Sequence, residues 1–160
     1  MKKIKTYLNK FILVDDEDFE RLSRYTWSLH KAENEVYYAR NKKIGQIARF
    51  ILNAPKSKQV DHINRNGLDN RKCNLRLCTQ KQNLRNSKLR KNNLLFMKGV
   101  QKNEGVNSKH GGCKYRARIY IRNKLIHLGC YQTIKLAGMA YDMAANKYFK
   151  EFAKPNFDSF

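Results

Sequence analysis

Residues 60–86 read VDHINRNGLDNRKCNLRLCTQKQNLRN, and this stretch decides how the chain is understood. Asp61 and His62 are adjacent; Asn74 follows His62 by 12 positions and Asn83 by 21. VDHI reads as a short strand, Asn66-Gly67 has the chemistry of a turn, and NLRLCT reads as a second strand. Thr79 with Gln82 fits a capping box, so a helix is expected to start there. The order strand, loop, strand, helix places Asn83 one turn into the helix and Asn86 one turn further on the same side.

An acid, a base and two amides in a run rich in Arg and Lys can hold a divalent metal and activate water beside a phosphate, which makes nucleic-acid cleavage the leading reading. Such hydrolysis needs an activated water, neutralised charge on the phosphate and a stabilised leaving oxygen. Histidine has an ordinary pKa near 6.5 and can accept a proton at neutral pH. Asp61 offers a hard oxygen suited to Mg²⁺, and Asn83 a neutral amide oxygen. Because Mg²⁺ keeps several of its waters, two protein ligands are enough. On a regular strand Asp61 and His62 point to opposite faces, whereas at a strand end both can reach one site. Taken singly, an Asp-His pair is often inert and Asn-rich stretches often only shape turns. The four residues at these offsets, in this order of elements, favour the site.

Composition points to the partner. The 160 residues carry 34 Lys and Arg against 13 Asp and Glu, a formal charge of +21 spread along the chain. An excess of that size favours a polyanion through phosphate contacts and counterion release. There is no apolar run near 18 residues, so no transmembrane helix is expected. The basic N-terminus lacks the apolar core of a signal peptide. The expected location is therefore the cytoplasm of a bacterial or phage-infected cell, not secretion. The four cysteines, at 73, 78, 113 and 130, form no C-x-x-C pair, which argues against structural zinc and reads as free thiols.

Residues 1–58 read as an N-terminal α+β extension. FILVD (11–15) is a strand, and Asp15 or Asp16 caps a short acidic-started helix. TWSLH and EVYYAR form a hairpin, and IGQIARFILNA (44–54) carries a helical stripe ended by Pro55. Residues 89–98 read as a basic linker. In residues 99–160, KYRARIYI (114–121) alternates, with Tyr115, Ala117, Ile119 and Ile121 on one side and Lys114, Arg116, Arg118 and Tyr120 on the other. Arg122-Asn123 turns the chain into KLIHLGCY, and residues 133–149 form an Ala-rich amphipathic helix. Three strands and a helix make a small domain.

The 59–88 segment resembles the HNH endonuclease motif of the phage and intron-encoded homing type. The resemblance implies an α+β protein with a ββα-metal nuclease core. His62 would be the general base and Asp61 a metal ligand. Asn74 would orient the loop and the base, and Asn83 would stand in the third position, where many relatives have His. It further implies one Mg²⁺ ion, with Mn²⁺ as a substitute. Arg65, Arg71, Arg76, Arg85, Lys88, Arg90 and Lys91 are the expected phosphate contacts around it.

The 99–157 stretch, with LGCYQT, AYDMAA and the final NF, resembles the plant ethylene-response-factor (Apetala-type) DNA-binding domain. That resemblance implies a three-stranded sheet laid in the major groove. Its outward set here would be Lys114, Arg116, Arg118, Tyr120, Arg122, Lys124 and His127. His127 stands where that family commonly has Trp, and Arg118 where it often has Glu, so the plant target sequence does not carry over. The whole reads as a monomeric enzyme that cuts double-stranded DNA, with no membrane association and no obligate protein partner. A non-catalytic DNA-binding regulator built from the same modules is the alternative, and an RNA-binding protein is a third reading.

Overall fold

The computed structural model describes residues 1–32, 36–87, 93–103 and 112–157. Of the expected site residues, Lys88, Arg90 and Lys91 lie outside the described residues. Packing divides the chain into two compact units, Met1–Leu84 and Arg85–Phe160.

In the first unit, β1 (Lys2–Lys5) and β2 (Phe11–Val14) form an antiparallel hairpin with Lys5 opposite Phe11. Only β2 had a legible strand pattern. α1 (Asp16–Ser23) follows, with Asp16, Glu17 and Asp18 in the first turn, where the partial positive charge of a helix start favours acids. Asp15 takes the N-cap place but does not cap with its side chain. That carboxylate accepts the backbone N–H of Lys72 at 2.7 Å instead. β3 (Ser28–Lys31), β4 (Tyr37–Asn41) and β5 (Gly45–Gln46) make a small antiparallel sheet in that order.

The helix expected over residues 44–54 is shorter than its apolar stripe. α2 covers Ile47–Ile51, because residues 45 and 46 pair with β4. The exit toward Pro55 is tied by Arg49, whose guanidinium donates to the carbonyls of Ala54, Pro55 and Lys58. β6 (Gln59–His62) and β7 (Leu75–Cys78) pair antiparallel, and α3 (Gln80–Asn86) follows. Thr79 and Gln82 form the reciprocal cap: Thr79 N–H donates to Gln82 Oε1 at 2.8 Å, and Gln82 N–H to Thr79 Oγ1 at 3.3 Å.

Residues 1–58 and the hairpin share one hydrophobic core. Ile12, Val14, Leu22, Trp27, Ala39, Ile47 and Ile51 bury with Leu75, and Val60 and Leu68 pack against them. Val60 of β6 and Leu75 of β7 therefore face the N-terminal elements, while Leu77 is exposed.

The second unit contains β8 (Val100–Lys102), β9 (Tyr115–Ile121) and β10 (Lys124–Tyr131), ordered β10-β9-β8, with α4 (Ile134–Phe149) packed on the sheet. Ala117 and Ile119 are buried, and Lys114, Arg116 and Tyr120 are exposed, so the two sides alternate. Arg122 and Asn123 both adopt left-handed backbone, φ 49° and 66°, as a two-residue turn between right-twisted strands demands. Ala137, Ala144 and Ala145 sit under the sheet, where small side chains let the helix approach. Thr133 caps α4 by accepting from Leu136 N–H. Buried Asp142 accepts from the backbone and side chain of Asn156 and the backbone of Phe157 at 2.8–3.0 Å, which fastens the C-terminal segment.

Two cysteines depart from the free-thiol reading. Cys113 and Cys130 are joined in a disulfide with Cα atoms 5.5 Å apart, while Cys73 and Cys78 are free. Antiparallel pairing of β9 with β10 brings together two residues that are 17 apart in sequence. No helix among the described residues is long and apolar enough to cross a membrane.

Gly99 has the least room of the described glycines in this unit. Its φ is +69°, and a Cβ there would lie 2.0 Å from the Tyr141 ring and 2.6 Å from the Arg118 carbonyl oxygen. Gly99→Ala is therefore expected to destabilise the protein by about 2–4 kcal/mol, combining a disfavoured backbone with overpacking. Urea denaturation followed by circular dichroism would read the shift; an unchanged midpoint would contradict the packing described.

Candidate active site

The β6–β7 hairpin assembles the site within the first unit. Its register places Gln59 opposite Cys78, Asp61 opposite Arg76, and His62 opposite Leu75. Gln59 and Asp61 are two apart on β6 and share a face. Asn83 of α3 donates its amide N–H to Gln59 Oε1 at 2.8 Å, so it lies on the face that carries Asp61. That bond uses the nitrogen end of the Asn83 amide, leaving the carbonyl oxygen as the end able to ligate a cation.

Asp61 is buried, 6% exposed, and its Oδ2 accepts from Arg76 Nη2 at 2.6 Å and Nε at 2.9 Å. Arg76 stood among the expected phosphate contacts, yet its guanidinium is spent inside the protein as the counter-ion of Asp61. Arg71 is similarly engaged. Its Nε and Nη2 each lie 2.7 Å from an oxygen of Asp69, a bidentate pair. Arg85, in the second unit, lies 4.2 Å over the Phe149 ring. Arg65 is half-buried in a left-handed turn, φ 62°. On the second unit's sheet, Arg116, Tyr120, Arg122, Lys124 and His127 are exposed along with Lys114, and Arg118 is half-buried.

His62 closes β6 and is 7% exposed. Its ring lies 5.8 Å from that of Tyr38, tilted by 58°. Burial pushes its pKa below the ordinary histidine value, against the opposing pull of the Asn70 hydrogen bond and the charges of Asp61 and Asp69. The imidazole is therefore neutral at neutral pH and able to accept a proton. The loop that follows is stapled by Asn74, which accepts Asn64 N–H at 2.9 Å and donates to the Asp69 carbonyl at 2.7 Å. Ile63 N–H also donates to the Asn74 carbonyl at 2.9 Å. Asn74 thus bridges both ends of the loop.

Asn70 and Asp69 have roles that strand and turn patterns did not single out, and Gly67 has one beyond its turn. Asn70, fully buried, faces His62 Nε2 at 3.2 Å. Asp69, 2% exposed, gathers Arg71 and the Asn64 amide. Gly67 lets the loop touch β4: a Cβ there would lie 2.5 Å from the Tyr37 carbonyl oxygen and 2.6 Å from the Tyr38 ring. The sequence signal here was the turn chemistry of Asn66-Gly67 alone, which says nothing of the burial of Asp69 and Asn70.

The metal-ligand question turns on donor chemistry. Among the described residues, no group of three or more His, Cys, Asp or Glu side chains is placed to hold an ion. Asp61 and Asn83 supply one carboxylate and one amide oxygen, hard donors that fit Mg²⁺ with its retained waters.

Residues 53–85 match the family model described as HNH endonuclease. Over 153 residues the chain is 33% identical to an uncharacterised HNH endonuclease of Acanthamoeba polyphaga mimivirus, a match that covers 91% of this chain and 74% of that relative. The chain belongs to the HNH endonuclease family. A separate likeness covers 72 residues, 44% of the chain. There it is 42% identical to an ethylene-responsive transcription factor of Arabidopsis thaliana and 40% identical to an AP2-like ethylene-responsive transcription factor of the same plant. The match covers only 17% and 21% of those two proteins.

Asp69 gives this HNH site a testable acid sensitivity. The Arg71 guanidinium holds its carboxyl below the usual carboxylate range. With the folded value below the unfolded value, its stabilisation is present above about pH 4 and is lost as pH falls through the lower folded value. Asp69→Asn should cost about 1–3 kcal/mol at pH 7. The gap from wild type should narrow below about pH 4. Urea titrations at pH 7, 5 and 3 would test this, and a gap that stays constant with pH would exclude an ionic role for Asp69.

Proposed function

We propose that this HNH protein is a homing-type endonuclease that hydrolyses a phosphodiester bond in duplex DNA, with its C-terminal sheet selecting the site. The observation that carries the reading is the pair Asp61-His62 at the end of β6, with a buried, neutral imidazole and a loop stapled by Asn74. In this reading β6, β7 and α3 are a ββα-metal core.

His62 takes a proton from the water that attacks the phosphate. Asp61 and Asn83 would hold one Mg²⁺, for which Mn²⁺ can substitute. When bound, that ion supplies positive charge to the leaving oxygen. Asn74 keeps the loop in the shape that presents His62. Arg76 pairs with the buried Asp61 carboxylate through two hydrogen bonds to one oxygen. The exposed row Lys114, Arg116, Tyr120, Lys124 and His127 offers cations and an aromatic ring to a groove and its phosphates. One site per chain makes a nick by a monomer the natural product.

The alternative is a DNA-binding regulator without cleavage. The ion pair of Arg76 with Asp61 favours it, because it already neutralises the proposed ligand, as does the likeness of 72 residues to plant transcription factors. A supercoiled-plasmid assay separates the two. Open circles are expected with Mg²⁺, none with EDTA, and a loss of about 10²–10⁴-fold in His62→Ala. Absence of scission by wild type, on plasmids carrying its own genomic flanks, would favour the regulator.

The sheet is tested by binding. Arg116→Ala is expected to weaken duplex affinity by about 1–3 kcal/mol if it reads a base, or to lower the salt slope by about one if it holds a phosphate. Fluorescence anisotropy at several salt concentrations distinguishes them; neither change would take the sheet out of the interface.

A further inference from the structure

Residues 1–14 contain Lys2, Lys3, Lys5 and Lys10 and neither Asp nor Glu. They form the β1–β2 hairpin, whose tip is firmly built. Thr6 N–H and Thr6 Oγ1 both donate to the Lys10 carbonyl at 2.9 Å, and Asn9 N–H donates to the Thr6 carbonyl at 3.2 Å. Asn9 takes a left-handed φ of 53°, which closes the turn between twisted strands. Tyr7 and Leu8 stand at the crown of this turn, 69% and 45% exposed. The backbone thus holds a pair of apolar side chains out in water, rimmed by cations, which is the mark of an interaction surface.

The register sorts the hairpin into two faces. Ile4 and Ile12 pair and turn toward the core, so Lys3, Lys5 and Phe11 share the opposite face, where all three are exposed. Lys3 Nζ lies 5.7 Å from the centroid of the Phe11 ring. The hairpin is also joined to the candidate active site. Leu13 of β2 pairs in parallel with residues 68–70, so the two chains run the same way. The hairpin tip and Arg65–Gly67, which precede the pairing on either side, therefore lie at the same end of it. Lys10 confirms the placement: its Nζ lies 4.7 Å over the Tyr37 ring, and the Tyr37 carbonyl abuts Gly67. The tip stands beside the loop that follows His62.

We propose that the β1–β2 hairpin is a DNA-contacting ribbon of the nuclease unit, which holds the duplex next to the cleaved bond independently of the C-terminal sheet. Lys3 and Lys5 meet backbone phosphates, and Tyr7 with Leu8 rests against base edges in a groove. The proposal rests on the reading of duplex DNA as the substrate. Charge selects this occupant over another protein surface, because a stretch with four lysines and no acid suits a polyanion. Shape agrees, since a two-stranded ribbon fits a DNA groove and an apolar tip can press on base steps.

The test uses the full chain, first on a duplex of mixed sequence and then on supercoiled plasmid. Lys3→Gln with Lys5→Gln should lower the slope of log affinity against log salt by about two, one for each phosphate released. Tyr7→Ser with Leu8→Ser should weaken binding about tenfold and leave the slope alone, since apolar area is lost and no charge. Both double variants change exposed side chains and should keep the wild-type urea midpoint. In nicking, the loss should fall on KM, with kcat within about twofold of wild type, as for contacts shared by ground and transition states. Tyr7→Trp supplies a direct probe. The chain's single tryptophan, Trp27, is 3% exposed, so the introduced indole alone should answer acrylamide, and duplex should shield it. An unshielded indole on bound DNA overturns the proposal, as does an unchanged salt slope in the lysine variant. So does shielding that rises with protein concentration without DNA, which would mark a contact between copies. A wild type that neither binds nor nicks duplex removes the underlying DNA reading. Hairpin variants indistinguishable from a wild type that binds and nicks remove the hairpin contact and leave that reading standing.

Discussion

Leu13 lends its backbone N–H to Leu68 and its carbonyl to Asn70, each at 2.8 Å, and the rest of the first unit's site depends on this short parallel pairing. It turns a polar loop into a buried strand-like segment. Buried backbone groups must be paired, and here the partner comes from the N-terminal hairpin. Once residues 68–70 are held, Asp69 can organise Arg71 and Asn64, Asn70 can reach His62, and Asn74 can close the loop on the Asp69 carbonyl. The N-terminal elements are thus a wall of the site.

A chain with 34 basic and 13 acidic residues has few anions to spare. In the first unit several are matched to cations at short range: Asp18 with Arg21, Glu17 with Lys72, Asp61 with Arg76 and Asp69 with Arg71. For the buried Asp61 the match is required, because an unpaired carboxylate taken out of water costs several kcal/mol. Pairing leaves Arg76 largely covered, with its side chain 14% exposed, whereas the Arg71 side chain stays 35% exposed beside Asp69. The exposed basic row on β9 and β10 has no such acid opposite it in the sheet register.

The sequence made the hairpin and its helix legible because each piece carries a local signal. Alternation marks β6 and β7, and Thr79-Gln82 closes the box it suggests. The same held for β9 and for the Arg122-Asn123 turn. Contacts between distant segments were not legible. Nothing local in NGLDNR says that Asp69 and Asn70 will pair with Leu13, so the sequence assigned them no role. Arginine has the same look whether it meets a phosphate or a buried carboxylate, so Arg71 and Arg76 were assigned outward. The stripe in residues 44–54 was truncated because strand pairing at Gly45 and Gln46 outcompeted helix extension. Cys113 and Cys130 are neighbours only through the register of β9 with β10.

The edge pairing at Leu13 also bears on how this motif travels between proteins. The stretch recognisable from sequence, residues 53–85, contains His62, Asn70 and Asn74 but not the strand that Asn70 leans on. Grafted alone into another chain, it would bring an unpaired loop edge and uncovered Val60, Leu68 and Leu75, which pack here against the N-terminal core. The heritable unit of the site is therefore larger than its signature. Any recombination that moves it intact has to carry the N-terminal hairpin along, or meet a host that already offers an open strand edge of the same polarity.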